Sequence, residues 1–352
     1  MKKRALLLSL IGVCTMVCLS GCAGVRTGNM VHDENTTYTW RLVHEEYTND
    51  MQDVYCKEFA NLLHEKSGGR INLEVYQVGQ IGDALQQCEI LQVGGVEFAI
   101  ISPGNTGTVV PENQLFSLHF PFPEDMDKTQ EVLRDSVALN EMLVEKYLEK
   151  NIMPLSFWTE GAMQWTANKP LKTPGDFKGL KIRTMQSPMI LAAYEAYGAN
   201  PTPMSYTEVY SGLQLNMIEG QENPISAIHT SKFHEVQDYL VEANSNLYVT
   251  ATCVNPDFFN SLPEDIQQII LEAAEEMIPR SFEIQEEING GALEKIQQES
   301  DIEVIQLTDE EREAFRENAL AAYDVYEDVV GADGKAILEK LREEVAQIEA
   351  EP

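Results

Sequence analysis

Apolar and polar positions alternate with two distinct periods along the first part of the chain. Three runs have strand-like patterns, residues 38–44, 71–76 and 96–101. Two stretches between them carry apolar side chains at helical spacing, residues 50–66 and 84–93. The third strand-like run is apolar throughout, which is typical of a strand buried in a parallel sheet. The β-α-β-α-β order therefore predicts a mostly parallel sheet with helices on its faces.

The alternation continues towards the C-terminus. Further strands are predicted at residues 152–158, 165–167, 181–183, 200–203, 240–243, 248–255 and 302–305. Further helices are predicted at residues 126–150, 187–197, 205–216, 263–296, 308–330 and 336–348. Pro279 is expected to bend or break the long helix, because proline lacks the backbone N–H that a helix interior needs. Thr308 and Glu311 have the spacing of a capping box and mark a helix start.

The number and order of these elements predict two α/β lobes with a ligand cleft between them. Lobe I is predicted to span residues 38–157, with residues of about 247–280 returning to it. Lobe II is predicted to span residues 158–246. The C-terminal helices within residues 281–350 are predicted to pack across both lobes.

The first 37 residues have a different character. Basic residues 2–4 precede an uncharged, mostly apolar stretch, which predicts a secretory signal peptide at residues 1–21. Residues 19–22 (LSGC) look like a bacterial lipobox, which predicts lipidation of Cys22 and a lipid-anchored tether at residues 22–37. The alternatives are an uncleaved anchor and an ordinary signal in which this cysteine occurs by chance.

Charge and cysteine content narrow the function classes. The 352 residues carry a net charge of −32, which argues against nucleic acid as a partner because phosphate backbones require basic patches. Cys56, Cys88 and Cys253 are too widely spaced for a zinc motif or a disulfide framework. We interpret them as small buried apolar residues, although the sequence leaves open whether one pair is oxidised.

The chain lacks the common enzyme signatures. No nucleophile elbow, phosphate-binding loop, dinucleotide fingerprint or C-x-x-C motif is present. His64 and Glu65 begin a zinc-protease pattern that fails at its last position, Gly68. We therefore predict no catalytic residues, no metal site and no cofactor.

One region has a dense family resemblance. The motifs are GLKIR at residues 179–183, GANPTPM at 198–204 and GQENP at 220–224. These residues resemble the solute-receptor (DctP) family of TRAP transporters, with weaker similarity over nearly the whole chain after the tether. The resemblance implies a two-lobe fold like that of periplasmic binding proteins, with a hinged cleft and a long connecting helix. It also implies a bound carboxylate.

The resemblance assigns roles to three residues. Arg183 matches the arginine that holds the ligand carboxylate through a two-pronged salt bridge; the alternative is a structural arginine tied to an acidic neighbour. Asn223 matches the asparagine that supports the same carboxylate; the alternative is a helix N-cap before Pro224. Tyr206 matches an aromatic position against the ligand; the alternative is core packing.

Departures from the family pattern bear on the ligand. Met163 stands where relatives commonly have a second arginine, so we expect one positive charge fewer and more apolar surface. Trp165 is a candidate stacking face or a core residue. Glu45, with its neighbour Glu46, lies in a segment that faces the ligand in relatives, and Ser102 offers a hydroxyl. These features predict a monocarboxylate whose remainder is neutral, apolar or amine-bearing.

We thus predict an exported, lipid-anchored receptor that faces the periplasm or the extracellular side. It captures a small organic acid and delivers it to the small and large membrane subunits of a TRAP transporter. A receptor that passes its ligand to a signalling protein has the same body, and genomic neighbours distinguish the two. A lipoprotein enzyme is the third class, and turnover of a bound acid would identify it.

Overall fold

The computed structural model describes residues 35–350 as a mixed α/β structure. The predicted signal peptide, Cys22 and the tether up to residue 34 lie outside the described residues. Within residues 35–350, no helix combines the length and the apolar character that a bilayer span requires.

The strands alternate with helices, as the periodicity predicts. The strands are β1 (Tyr38–Val43), β2 (Ile71–Tyr76), β3 (Phe98–Ile101), β4 (Met153–Ala167), β5 (Lys181–Thr184), β6 (Asn200–Pro203), β7 (Gly220–Pro224), β8 (Tyr239–Glu242), β9 (Leu247–Val254) and β10 (Glu303–Gln306). The α-helices are α1 (Met51–Lys66), α2 (Ala84–Gln92), α3 (Pro103–Thr106), α4 (Met126–Asp135), α5 (Val144–Leu148), α6 (Pro188–Ala196), α7 (Val209–Gln214), α8 (Ile225–Thr230), α9 (Pro256–Asn260), α10 (Glu264–Glu299) and α11 (Asp309–Glu349).

The strands form one continuous sheet in the order β2-β1-β3-β9-β4-β7-β5-β6, with β8 between β4 and β10. Strand β4 connects two parts of it: β4 pairs with β9 as far as Ala162, and with β7 from Met163 onwards. We call β1, β2, β3, β9 and the first part of β4 the first half-sheet. The second half-sheet consists of the remaining part of β4 together with β5, β6, β7, β8 and β10. The partner change lies five residues beyond the predicted lobe boundary at residues 157 and 158, so that boundary remains a prediction.

Two long helices cover both half-sheets. Helix α10 packs against α1, β4 and α8, and α11 packs against α6 and α4. Apolar side chains of α10 accordingly belong to the core around β1 and also to the core around α8. Helix α10 continues through Pro279, so the break considered there does not occur. Helix α11 is interrupted at Gly331, where φ is 66°, which matches the predicted separation of two C-terminal helices.

Strand β7 and the short helices α3, α8 and α9 were not predicted, and three predicted elements differ in the structure. Strand β4 is continuous where two strands were predicted, because Gly161, with φ of 106°, accommodates an irregularity without ending the strand. The predicted helix at 126–150 is interrupted at Ser136, whose hydroxyl donates to Glu344 at 2.5 Å. The predicted helix at 205–216 consists of a 3₁₀ turn, Tyr206–Glu208, followed by α7.

The three cysteines in the described chain pack as apolar residues. Cys56, Cys88 and Cys253 are buried and unpaired. This confirms the packing interpretation, and burial raises the pKa of Cys88 to about 12, so its thiol stays protonated at neutral pH.

Candidate functional site

Arg183 is a buried cation at the end of β5. The residue is only 3% exposed, and its Nε donates a hydrogen bond to the Met204 carbonyl at 3.0 Å. Within residues 35–350 no carboxylate lies within ion-pair distance, and the two terminal nitrogens form no hydrogen bond. Burial lowers the pKa of Arg183, because desolvation penalises the charged form. A guanidinium held this way has a paired set of N–H donors left for an anion.

Glu222 influences Arg183 electrostatically without forming an ion pair with it. Its carboxylate accepts a hydrogen bond from the Tyr194 hydroxyl at 2.5 Å, and Tyr194 accepts one from the Trp165 indole at 2.9 Å. Burial raises the pKa of Glu222 to about 7, while Tyr194 and Arg183 act in the opposite direction. Glu222 is therefore part of a core network. Within the described residues, Arg183 forms no ion pair with an acidic neighbour, which was the alternative role considered for it.

Asn223 lies on β7, in register with Gln164 of β4. It is buried, and its side-chain nitrogen donates to the Gln221 side-chain oxygen. The capping alternative for Asn223 is wrong, because the N-cap of α8 is Pro224 and Asn223 lies within the strand. The amide lies at the same end of the second half-sheet as the end of β5, since β5 and β7 run parallel.

Tyr206 lies where the two half-sheets face each other. Its hydroxyl is 2.6 Å from the Ser231 hydroxyl, and its ring centroid is 5.6 Å from that of Tyr47. Burial raises the pKa of Tyr206, with Asp50 and Glu46 adding to the shift and Arg183 opposing it. The phenol is thus within electrostatic range of Arg183 on one side and of carboxyl groups on the other.

Glu45 begins the acidic side of the cleft, immediately after β1. Its carboxylate accepts hydrogen bonds from the Ser102 backbone N–H at 3.0 Å, from the Ser102 hydroxyl, and from the Asn105 amide at 3.0 Å. Burial raises the pKa of Glu45 to about 7 despite these bonds. The structure therefore brings Glu45 and Ser102 together, with the Ser102 hydroxyl donating to the carboxylate.

Glu46 and Glu160 form a second acidic contact across the sheet. Gln52 links them: its backbone N–H donates to Glu46 at 2.8 Å, and its side-chain amide donates to Glu160 at 2.8 Å. Burial, followed by the neighbouring Glu160, raises the pKa of Glu46, and burial raises the pKa of Glu160 to about 8. One Glu160 oxygen is buried without a hydrogen-bond partner. Burial thus favours the protonated forms of both carboxyls, and Glu160 has unused acceptor capacity.

Asp50 and Tyr248 complete the arrangement. Burial, reinforced by Glu46, raises the pKa of Asp50 to about 8, and the Thr230 side chain on the opposite half opposes the shift through a hydrogen bond. Burial raises the pKa of Tyr248, and nearby Glu45 is the next cause. Tyr248 also acts on Arg183. The cleft therefore has a cationic end at Arg183 and an acidic end at the carboxyls, with two tyrosines between.

A chain with this arrangement has close relatives of established type. The sequence profile of the bacterial extracellular solute-binding proteins of family 7, DctP, matches residues 42–328. The chain belongs to this family. The ectoine-binding periplasmic protein TeaA of Halomonas elongata is 35% identical over 313 residues, which cover 89% of this chain and 91% of that protein. The C4-dicarboxylate-binding protein DctB of Bacillus subtilis is 30% identical over 315 residues, covering 87% and 89%.

A solved structure supports the same assignment. The high-resolution structure of TeaA, from a TRAP transporter, superposes with a TM-score of 0.85 at 35% identity, and the match covers 88% of this chain and 100% of that one. This DctP-family chain is therefore an exported TRAP-type solute receptor rather than an enzyme, and receptors of this type work with membrane subunits. The predicted family, the fold class and the absence of enzyme function are confirmed.

The two remaining candidate residues of this receptor have different surroundings. Trp165 is fully buried between Phe177 and Phe315, with ring centroids at 4.9 and 4.8 Å, so it occupies the core position that was its alternative. Met163 is 2% exposed and lines a small cavity together with Ser102 and other residues of the cleft. The apolar side chain thus lies beside the cleft.

Sequence inspection overlooked three residues of the receptor's cleft: Asp50, Glu160 and Tyr248. A detectable signal existed for Glu160, because this carboxylate lies two residues after the apolar pair at 157 and 158 that ends a predicted strand. Asp50 was considered only as a helix start, and it is indeed the N-cap of α1. Tyr248 gave no signal beyond a strand-like pattern.

Proposed function

We propose that this receptor captures a small zwitterionic monocarboxylate, binding its carboxylate at Arg183 and its cationic group at the acidic end of the cleft. It then delivers the ligand to the small and large membrane subunits of a TRAP transporter. The observation that carries the proposal is the separation of unpaired ionisable groups in one cleft: a buried guanidinium lies at one end and four buried carboxyls, which a cationic group would ionise, lie at the other.

The carboxylate end rests on the geometry of Arg183 and Asn223. A carboxylate matches the planar fork of a guanidinium with two parallel hydrogen bonds, and a buried cation gains most from such a partner. The Asn223 amide, at the same strand ends, supplies a further donor. Tyr206 bounds this part of the cleft with an aromatic face.

The acidic end distinguishes a zwitterion from a dicarboxylate. A second carboxylate of the ligand would lie among Glu45, Glu46 and Glu160, whose pKa values are already raised because burial and mutual repulsion disfavour their charges. A cationic group there lowers those pKa values and relieves the repulsion. Met163, in place of a second arginine, removes the charge that a second carboxylate would need.

The relatives supply a defined test compound. Ectoine carries one carboxylate and one delocalised cationic ring, and the relative TeaA is named for binding it. DctB, named for C4-dicarboxylates, is less similar in sequence. We therefore propose ectoine or a compound with the same two charges as the ligand.

Calorimetry on the protein lacking its leader tests the ligand class. Ectoine, betaine, acetate and succinate are titrated separately at neutral pH. We expect saturable one-site binding for a zwitterion. Acetate and succinate should bind at least about tenfold more weakly, because acetate has no cationic group and the second carboxylate of succinate is repelled by the acidic end of the cleft. Tighter binding of succinate than of every zwitterion contradicts the proposed ligand class but leaves the receptor assignment in place.

The lipid anchor is a separate part of the proposal and rests on residues 19–22 (LSGC). Mass spectrometry of protein extracted from membranes is expected to show an acylated N-terminus at Cys22. The Cys22→Ala variant is expected to lose this modification. An unmodified Cys22 in membrane-extracted wild-type protein contradicts the anchor.

A further inference from the structure

A second cavity lies where the strands pass between the half-sheets, apart from the Arg183 cleft. It has a volume of about 370 Å³, the size of a small-molecule site. Its polar lining comes from α10, α11, the connecting strands and the segment before α4: Glu124, Gln164, Asn244, Asn246, Gln285, Asn289, Arg312 and Arg316. None of the residues assigned to the Arg183 cleft contributes to it. We propose that this hinge cavity is a second binding site, specific for a small oxyanion.

Two arginine side chains, Arg312 and Arg316, line the hinge cavity. They share an acidic partner, Glu124, at 3.4 and 3.3 Å, and Arg316 also lies 3.7 Å from Glu313. The side chains of Glu124 and Glu313 are 68% and 57% exposed, so solvent screens both contacts. An anion in the cavity therefore meets two guanidinium groups whose carboxylate partners lie largely in solvent.

Hydrogen-bond donors in the hinge cavity are also left over. The Arg312 Nε is buried without a hydrogen-bond partner, which costs free energy that a bound acceptor would recover. Gln285 forms no side-chain hydrogen bond within residues 35–350. Asn244 uses its side-chain oxygen to accept from Gln164 at 2.8 Å, and its amide nitrogen remains available. These donors converge on one cavity and suit the several acceptor atoms of a carboxylate or phosphate.

Phe120 shapes the cationic wall. The Arg316 guanidinium lies 5.2 Å from the centre of the Phe120 ring, which fixes its plane and leaves its edge for hydrogen bonding. Phe120 packs against the core of the second half-sheet, whereas Phe122, two residues on, packs against the core of the first. The segment that carries both rings therefore contacts both halves.

The location of the cavity links its occupancy to the hinge. Ala162 lies at the change of partner in β4, and Asn289 donates to the Glu160 carbonyl at 2.8 Å. An oxyanion held between α10, α11 and this strand contacts elements that pack on both half-sheets. The affinity of the oxyanion will therefore differ between arrangements of the two half-sheets. By linkage, a bound oxyanion will change the affinity of the cleft for its ligand, and a bound ligand will change the affinity for the oxyanion by the same factor.

Calorimetry with inorganic phosphate in one arm and citrate in the other tests the site. The titrated protein is the Arg183→Ala variant, whose principal carboxylate contact is removed, with folding checked by thermal unfolding; wild-type protein is titrated in parallel. We expect one saturable site in both proteins. The arm with the tighter binding identifies whether phosphate or carboxylate is preferred.

The decisive variants are Arg312→Gln and Arg316→Gln, each expected to weaken binding of the preferred anion at least about tenfold. Arg342→Gln is the matched control, because this arginine also lies on α11 and stacks on an aromatic ring, Tyr323, at 4.5 Å, but lies outside the cavity. The proposal is overturned if neither anion binds saturably at millimolar concentration. It is also overturned if Arg342→Gln weakens binding as much as the two cavity variants do.

Discussion

Arg183 and Arg280 carry the same guanidinium group in opposite surroundings. Arg280, on α10, has a side chain 31% exposed and contacts three carboxylates, Glu58 at 2.7 Å, Glu283 at 2.9 Å and Glu287 at 3.1 Å. Arg183 is buried and contacts none within residues 35–350. The chain has 57 acidic residues and 25 basic ones, so acidic partners are abundant. The absence of a partner at Arg183 is therefore a property of the cleft.

At the acidic end of the cleft, carboxyl groups are buried without basic partners. Glu45, Glu46 and Glu160 are buried without a basic partner, although Lys and Arg residues pair with carboxylates at many exposed sites, such as Lys66 with Glu276. Uncompensated buried charge costs stability. In this protein the cost falls on the groups that face one another across the cleft, which is the arrangement expected when a ligand supplies the missing charges.

The largest effect is expected from Arg183→Ala. Loss of the paired hydrogen bonds to the carboxylate should weaken ligand binding by a factor of about 100 or more. Arg183→Lys keeps the charge but not the planar fork, and it should recover only part of this loss. Calorimetry measures both. Arg280→Gln is the matched arginine control and should leave ligand affinity unchanged. Wild-type affinity in Arg183→Ala would show that the buried, unpaired arginine contributes no more to binding than the paired one.

The Glu160→Gln substitution probes the other end of the cleft. It removes one negative charge without changing shape, so a zwitterion should bind about tenfold more weakly at a pH above the Glu160 pKa of about 8, where the carboxylate is ionised. Acetate binding should be unaffected because acetate has no cationic group. Glu89→Gln, an exposed residue of α2, is the charge-matched control. Equal losses for the zwitterion and acetate would show that Glu160 acts on the fold and not on the cation.

The raised pKa values predict a pH dependence of stability. Glu45, with a pKa of about 7, and Glu160, with a pKa of about 8, hold protons that the unfolded chain releases near its ordinary carboxyl pKa. The folded state therefore binds more protons, and the free energy of unfolding of the ligand-free protein should fall as pH rises from about 5 to about 8. Thermal unfolding across this range measures the slope, which should be smaller in Glu160→Gln.

The same linkage gives a signature of the ligand. A cationic group beside the acidic end lowers these pKa values, so binding at neutral pH should release protons. Calorimetry in two buffers with different ionisation enthalpies counts them. Net proton uptake would instead indicate a second carboxylate at this end and would reverse the proposed orientation of charge.

The smallest effect is expected from Arg280→Gln on stability. Glu283 and Glu287 are exposed and Glu58 is partly exposed, so solvent screens these pairs and the free energy of unfolding should fall by about 1 kcal/mol or less despite three short contacts. Urea unfolding measures this difference. A loss several times larger would show that the α10 ion pairs hold the fold.

The sequence determined much of this protein. Local periodicity predicted the β-α-β-α-β start, the long helix and the capping box at Thr308, because these features depend on neighbours in sequence. The motif at residues 179–183 made Arg183 a candidate ligand contact, and the motif at 220–224 made Asn223 another. The buried thiols followed from their spacing and from the absence of partners.

Tertiary structure alone decided which charges face one another. Glu160, Asp50 and Tyr248 come from three separate segments, and only the pairing of β4 with β9 and the packing of α1 bring them to one cleft. The continuity of β4 likewise depends on Gly161, which lies between the two strands predicted there. Burial removes water from these groups and so sets their pKa values, and no local pattern encodes how much water a distant segment will exclude.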